Sequence, residues 1–204
     1  GKLVQPEPYH HLIHHTHNTK EFIQYIQYIK GDLDIPIHLQ SKAFRSQFQK
    51  SRRNQPLINI DRRRLLQEYN HSNFIIIEIC SSKIYQQDGV YLHHLAVDGG
   101  DHYNKCNNYQ GNFQIQTDQE LHDDLKIIKQ ITSDKRLIVA THINPLKFPK
   151  RSLLINTLSR YCQDLKIDFH DASKIIGAKD VDDANHLNEK GHMIQTQTLH
   201  RILR

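Results

Sequence analysis

Two stretches of the chain carry long apolar runs with polar residues on either side, and a third, shorter stretch has apolar residues at its two ends. The clearest lies at residues 73–82, a second at 136–141 and a short third at 167–169. Runs rich in β-branched residues and bounded by polar ones are typical of strands that are buried on both faces. These stretches are therefore predicted to be three strands of one sheet.

Between and after these strands, apolar residues recur at helical spacing. Thr117 and Glu120 have the spacing of a capping box, which predicts a helix that continues to Ile131. Asn188 is a suitable N-cap for a final helix. Further helices are predicted at residues 18–30, 62–69 and 151–165. Strands that alternate with helices favour an α/β fold with a parallel sheet, and the right-handed crossover rule places helices on both of its faces.

Composition limits the partners and the compartment. The 204 residues suit one domain spanning 1–204, with the Asn- and Gln-rich stretch at about 98–116 as a polar insertion loop. The net charge of +5 permits a nucleic-acid partner without indicating one, because basic residues concentrate only between Arg45 and Arg64. Three cysteines without C-x-x-C spacing predict no disulfide framework and mildly favour a reducing intracellular compartment. No apolar run approaches the ~20 residues of a membrane span.

Five histidines lie within residues 10–17. On a helix, His10 with His14 and His11 with His15 would share faces, which is a spacing that metal ligands use. No acidic residue accompanies them, and no Cys or His pair follows at zinc-finger spacing. A polar loop is the favoured interpretation, and neither a metal nor a cofactor is predicted.

The strongest chemical pattern lies near the end of the chain, where Asp183 precedes His186 by three residues on a loop ahead of the final helix. At this spacing the carboxylate can accept a hydrogen bond from one ring nitrogen and leave the other nitrogen to take a proton. The pattern predicts a general base and the acid that orients it. An ordinary loop and helix cap is the alternative interpretation.

The block from Asp183 to Gly191 reads D-x-x-H-L-N-x-x-G and resembles the last conserved block of the SGNH, or GDSL, hydrolase superfamily. The resemblance extends from about Phe74 to the end of the chain. It implies a flavodoxin-like three-layer α/β sandwich and the removal of acyl groups by a serine nucleophile. That family carries the serine in an early Gly-Asp-Ser block, and residues 1–4 contain no Ser or Cys. Either the nucleophile strand lies upstream or the site is degenerate.

Other candidate site residues follow the two long predicted strands, at the end where ligands of parallel sheets bind. Cys80 and Ser81 are candidate nucleophiles, and Ser81 or Ser82 is a candidate oxyanion donor. His142 and Asn144 are candidates for oxyanion or substrate binding after the second strand. The alternatives are small polar residues that turn the chain, a core cysteine and a structural histidine.

Three functions follow from these residues. The first is an SGNH-like acyl-ester hydrolase, including a carbohydrate O-deacetylase, that acts on an acylated small molecule or glycan with His186 as base. The second is a catalytically degenerate SGNH-fold subunit that binds protein partners in a larger assembly. The third is an anion or nucleic-acid binder that uses the basic residues Arg45, Lys50, Arg52, Arg53 and Arg62 to Arg64.

Overall fold

The computed structural model describes residues 16–44, 60–99 and 109–203. Most of the histidine-rich stretch lies outside the described residues, as do Arg45, Lys50, Arg52 and Arg53 of the basic stretch. Among the helices of the described part, none is both long enough and apolar enough to cross a membrane.

The described residues fall into two compact units. The first takes in residues 16, 20–44, 60–72, 83–99 and 109–115, and the second takes in residues 17–19, 73–82 and 116–203. The second unit contains the three predicted strands and the D-x-x-H block. The prediction of a single domain with a polar insertion stays a prediction.

The first unit combines helices with a small antiparallel sheet. Its elements are α1 (Thr19–Lys30, which begins in the second unit), α2 (Ile37–Ala43), α3 (Arg62–His71), β2 (Lys83–Gln87), β3 (Val90–Leu92), α4 (His94–Asp98) and β4 (Asn112–Ile115). The strand order is β3-β2-β4. Part of the predicted polar loop is therefore strand β4, whose residues pair with β2 although all four are exposed.

A two-residue turn joins β2 to β3. Asp88 and Gly89 both have positive φ angles, of 52° and 79°. Type I′ turns, which have two residues with positive φ, match the twist of an antiparallel hairpin this short, and Asp-Gly is a preferred pair for them. The turn sets the register in which Gln87 pairs with Val90.

The second unit is built on the predicted parallel sheet. Its elements are β1 (Phe74–Ile79), α5 (Asp118–Ile131), β5 (Arg136–Thr141), α6 (Pro149–Leu165), β6 (Asp168–His170), two short 3-10 turns at Ala172–Lys174 and Ala178–Asp180, and α7 (Glu189–Ile202). The strand order is β1-β5-β6, with both pairs parallel. The central strand β5 is buried along all but its first residue, as expected for a strand with neighbours on both sides.

Strand β1 differs from the prediction of burial on both faces. Ile77 and Ile79 are buried, whereas Phe74 and Ile76 are 41% and 36% exposed. Among the described strands β1 pairs only with β5, so it lies at the edge of this sheet. An edge strand with one open face shows alternating burial even where its sequence is uniformly apolar.

The predicted start of α5 is confirmed and is anchored further by a buried network. Thr117 Oγ1 accepts from the Glu120 amide, and the Glu120 carboxylate accepts from the Thr117 amide, which completes the capping box. One turn later the buried Asp124 carboxylate accepts from Thr19 Oγ1 at 2.7 Å and from Gln116 Nε2 at 2.6 Å. Such pairing offsets the cost of burying a carboxylate.

The chain is thus mixed α/β, with helices and a three-stranded parallel sheet, in agreement with the predicted α/β three-layer class. In the second unit, parallel pairing brings the carboxyl ends of β1 and β5 level, because Ile79 pairs with Thr141. Ala140 pairs with His170 in the same way. The residues that follow these strands therefore meet at one edge of the sheet.

Candidate active site

The Asp183–His186 pair forms as the sequence predicts. The Asp183 carboxylate accepts from His186 Nδ1 at 2.7 Å through one oxygen. Its other oxygen accepts from the amides of Asn185, at 2.7 Å, and His186, at 3.0 Å. Because a carboxylate only accepts, the proton of the neutral ring lies on Nδ1, and Nε2 is left as the basic nitrogen.

These hydrogen bonds stabilise the ionised form of the Asp183 carboxyl. The hydrogen bond from the His186 ring, followed by that from the Asn185 amide, keeps the pKa of the Asp183 carboxyl below its usual value. The carboxylate side chain is 55% exposed and the imidazole 61%, so both groups are open to solvent. A base in this setting can exchange protons with a bound substrate or with water.

The backbone of the D-x-x-H block is pinned on both sides of the pair. Val181 forms an isolated antiparallel bridge with Leu187, and the Asp182 amide donates to the His186 carbonyl at 2.9 Å. Both Val181 and Leu187 pack on a small apolar cluster that includes Ile143 and Ile176. The exposed pair therefore stands on a loop whose two ends are fixed in the core.

The Leu-Asn-x-x-Gly continuation of the block also has a structural reason. Asn188 Oδ1 accepts from the Gly191 amide at 3.0 Å and caps α7. A Cβ atom at Gly191 would lie 2.1 Å from the Asp180 carbonyl oxygen, so only glycine permits this approach of helix and turn. Asn188 thus starts the helix two residues after His186, and Gly191 lets that helix pack against the turn at Asp180.

A second acid–histidine pair lies at the carboxyl ends of β1 and β5. His142, the first residue after β5, contacts the Glu78 carboxylate of β1 through Nδ1 at 2.5 Å. The sequence singled out His142 but did not pair it with Glu78. The signal was present, because both residues lie at the carboxyl ends of strands that were predicted to be parallel. Substrate or oxyanion binding by His142 stays a prediction.

The residues that follow β1 are held by their backbones. The amides of Cys80 and Ser81 both donate to the His17 carbonyl, at 3.1 and 3.0 Å, and the Ser82 carbonyl accepts from the Gln116 amide at 2.8 Å. The Cys80 thiol lies 3.8 Å from the same His17 oxygen and is half-buried. The nucleophile and oxyanion roles of these three residues stay predictions.

Asn144 has a clear local role. Its side-chain oxygen accepts from the Phe148 amide at 2.8 Å, and its Nδ2 donates to Ser152 Oγ at 3.0 Å. These contacts fold the turn between β5 and α6 and fix the first turn of the helix. Substrate binding by Asn144 is not tested by this arrangement and stays a prediction.

His170 is the last residue of β6. It is 4% exposed, and its Nε2 has no hydrogen-bond partner among the described residues. Burial lowers the pKa of this imidazole. It is therefore kept neutral beside the site, where a charged ring without a partner would be costly.

The chain is similar to a known protein family over part of its length. The family model of the TviD N-terminal domain matches residues 5–100. Neither the curated proteins nor the solved structures contain a match to the chain. The matched range includes β1, Glu78 and Cys80, and it ends well before the D-x-x-H block. The chain is thus similar to the TviD N-terminal domain over its first half, and the Asp183–His186 pair lies outside that similarity.

Proposed function

We propose that this protein is an SGNH-like acyl-ester hydrolase in which His186 is the general base and Asp183 orients it. The observation that carries the proposal is the 2.7 Å contact between Asp183 and His186 Nδ1. This contact leaves Nε2 as the proton acceptor, on a loop that packs through Val181 and Leu187 on the cluster containing Ile143, the second residue after β5. The similarity of residues 5–100 to the domain of TviD, an O-acetyltransferase-related protein of the Vi antigen, is compatible with acyl chemistry.

In the proposed reaction, His186 Nε2 takes the proton of a hydroxyl or thiol nucleophile as that group attacks the ester carbonyl. The Asp183 carboxylate stabilises the imidazolium that forms. The tetrahedral intermediate then expels the alcohol, which receives the proton from His186. Water, deprotonated by the same nitrogen, releases the acid and restores the nucleophile. Cys80 and Ser81 are the candidate nucleophiles on this chain.

The oxyanion of the intermediate needs donors aimed at it. Ser82 and His142 are the candidates after β1 and β5; because the Glu78 carboxylate takes the Nδ1–H of His142, that ring would donate through Nε2 only as an imidazolium. O-acetylated sugars are the substrate class that the family resemblance implies, and an acyl chain on a small alcohol is the minimal substrate.

The experiment measures acetate release from p-nitrophenyl acetate and from an O-acetylated glycan by wild type, His186→Ala and Asp183→Asn. Removal of the base should lower kcat by about 10⁴-fold, as in other triads whose members act as a unit. Asp183→Asn should lower it by a similar factor, because an amide favours the wrong tautomer. The control is His200→Ala, an exposed histidine on α7. Hydrolysis that survives His186→Ala unchanged would refute the proposal.

One observation favours the alternative of a catalytically degenerate binding subunit. The Cys80 and Ser81 amides, which would be natural oxyanion donors at this strand end, both donate to the His17 carbonyl. If the protein is a degenerate binding subunit, wild type should release no acetate from any ester tested, while the Asp183–His186 contact should still be seen by NMR. Turnover lost on Cys80→Ala or on Ser81→Ala would exclude it.

A further inference from the structure

Arg151 connects two segments that are far apart in the chain. It lies in the first turn of α6, and one guanidinium nitrogen, Nη1, donates to the Ile143 carbonyl at 2.7 Å and to the Ala184 carbonyl at 3.0 Å. The other, Nη2, donates to Asn185 Oδ1 at 3.0 Å. Ile143 follows β5, and Ala184 and Asn185 lie between Asp183 and His186. One side chain therefore joins the strand end to the loop of the catalytic pair.

The guanidinium itself has little freedom to move. Its carbon lies 5.4 Å from the centre of the Phe148 ring, and the Arg151 side chain is partly buried. Glu78 and Cys80 are near enough to interact with its charge. A planar cation held by three hydrogen bonds and an aromatic ring is a rigid connection rather than a solvated surface charge.

We propose that Arg151 is a positioning residue that ties the D-x-x-H loop to the end of β5 and so determines where the His186 ring stands at the sheet edge. The proposal rests on the proposed function and adds to it the group that aims the base. Among the described residues, the hydrogen bonds of the two side chains lie within the loop, and Arg151 adds a direct connection from that loop to the strand end. A catalytic group displaced by about 1 Å can lose about 100-fold in rate.

Lysine cannot replace arginine in this role. The three acceptors, Ile143 O, Ala184 O and Asn185 Oδ1, surround a flat fork whose donors point in fixed directions. An ammonium group keeps the charge but is a compact point donor on a flexible stem. Arg151→Lys therefore tests geometry with the charge retained, and Arg151→Ala removes both.

The test uses the full chain labelled uniformly with ¹⁵N, with the His186 signals assigned from the spectrum of His186→Ala. The ring shifts report which nitrogen carries the proton, and amide exchange of Asn185 and His186 reports the loop. Arg160→Ala is the matched control, since Arg160 lies on the same helix and its contacts are exposed. In Arg151→Ala, and less so in Arg151→Lys, the Nδ1–H form should lose its dominance and both amides should exchange at least 10-fold faster. Arg160→Ala should match wild type.

If a folded Arg151→Lys keeps the wild-type ring shifts and amide exchange, the positioning role is wrong; this variant decides the matter should Arg151→Ala fail to fold. With an active enzyme, kcat should fall about 100-fold in Arg151→Ala with KM unchanged. If wild type hydrolyses no ester but the ring shifts respond to Arg151, the positioning role holds and the proposed hydrolase does not. If ester hydrolysis depends on His186 but the His186 ring shifts are unchanged in the Arg151 variants, the proposed hydrolase holds and the positioning role does not.

Discussion

Gly191→Ala is expected to destabilise the loop that carries the candidate base. The added methyl would lie 2.1 Å from the Asp180 carbonyl oxygen and 2.9 Å from Leu187 Cδ2, whereas real Cβ contacts almost never fall below 3.0 Å. The nearest atom is backbone, so it cannot rotate away. The start of α7 or the turn at Asp180 must move by roughly 1 Å, as in other overpacked sites.

The magnitude follows from three contributions. Overpacking of this kind costs about 1–3 kcal/mol. Movement of the helix start weakens the cap in which Asn188 Oδ1 accepts from the Gly191 amide, worth about 1 kcal/mol. In the other direction, alanine is favoured over glycine in a helix by about 1 kcal/mol. The steric and capping losses exceed this gain, so the net loss of unfolding free energy should be about 1–3 kcal/mol.

The assay is urea denaturation of wild type, Gly191→Ala and Gly177→Ala. Gly177 precedes the 3-10 turn that ends at Asp180, and a Cβ there would lie 3.5 Å from Asp180 Oδ2, which is an ordinary contact. Its variant should stay within about 0.5 kcal/mol of wild type. Gly191→Ala should show a lower midpoint with an unchanged slope. A Gly191→Ala protein as stable as wild type, or stabilised by its helix propensity, would refute the close approach of helix and turn.

Three further predictions concern charge, reactivity and capping. Hydrogen bonds to the Asp183 carboxylate lower its pKa, so the contact with His186 should persist below pH 3.8, the ordinary aspartate value. It should be lost only as the pH falls through the lowered pKa. A ¹³C carboxyl titration with a midpoint of 3.8 or above would contradict this. Burial raises the pKa of the Cys162 thiol to about 12, so a disulfide reagent should not label Cys162 in the native protein at pH 8. Peptide mass mapping reads the labelling. Labelling as fast as in urea would be inconsistent with a core position. Thr117→Ala removes the side-chain half of the capping box with Glu120 and should cost about 1 kcal/mol in urea denaturation, whereas Thr117→Ser should cost far less; equal losses would argue against the cap.

Local patterns in the sequence predicted the elements of the second unit well. The runs at 136–141 and 167–169 became β5 and β6, the Thr117 capping box starts α5, and the Asn188 cap starts α7. The Asp183–His186 contact was also predictable, since it spans only three residues. The two caps and the Asp183–His186 contact join near neighbours in the chain, so spacing alone determines them, and the two strands coincide with short hydrophobic segments.

The first unit was harder to predict. The antiparallel sheet β3-β2-β4 was not expected, although Asp88-Gly89 is a known hairpin turn pair. Strand β4 reads Asn-Phe-Gln-Ile, but this alternation covers only four residues of a polar stretch, and none of them is buried. Its strand geometry depends on pairing with β2, and pairing partners are not encoded in a local window.

By itself the sequence determined which residues form the parallel strands, where the helices of the second unit begin and that Asp183 can orient His186. Spacing and side-chain chemistry act over a few residues, and that range is enough for caps, strands and a D-x-x-H contact. Only the tertiary structure decided that Glu78 meets His142, 64 residues away, and that Arg151 reaches Ala184 across 33 residues. Such contacts depend on strand register and helix placement, which the whole fold sets and no local pattern contains.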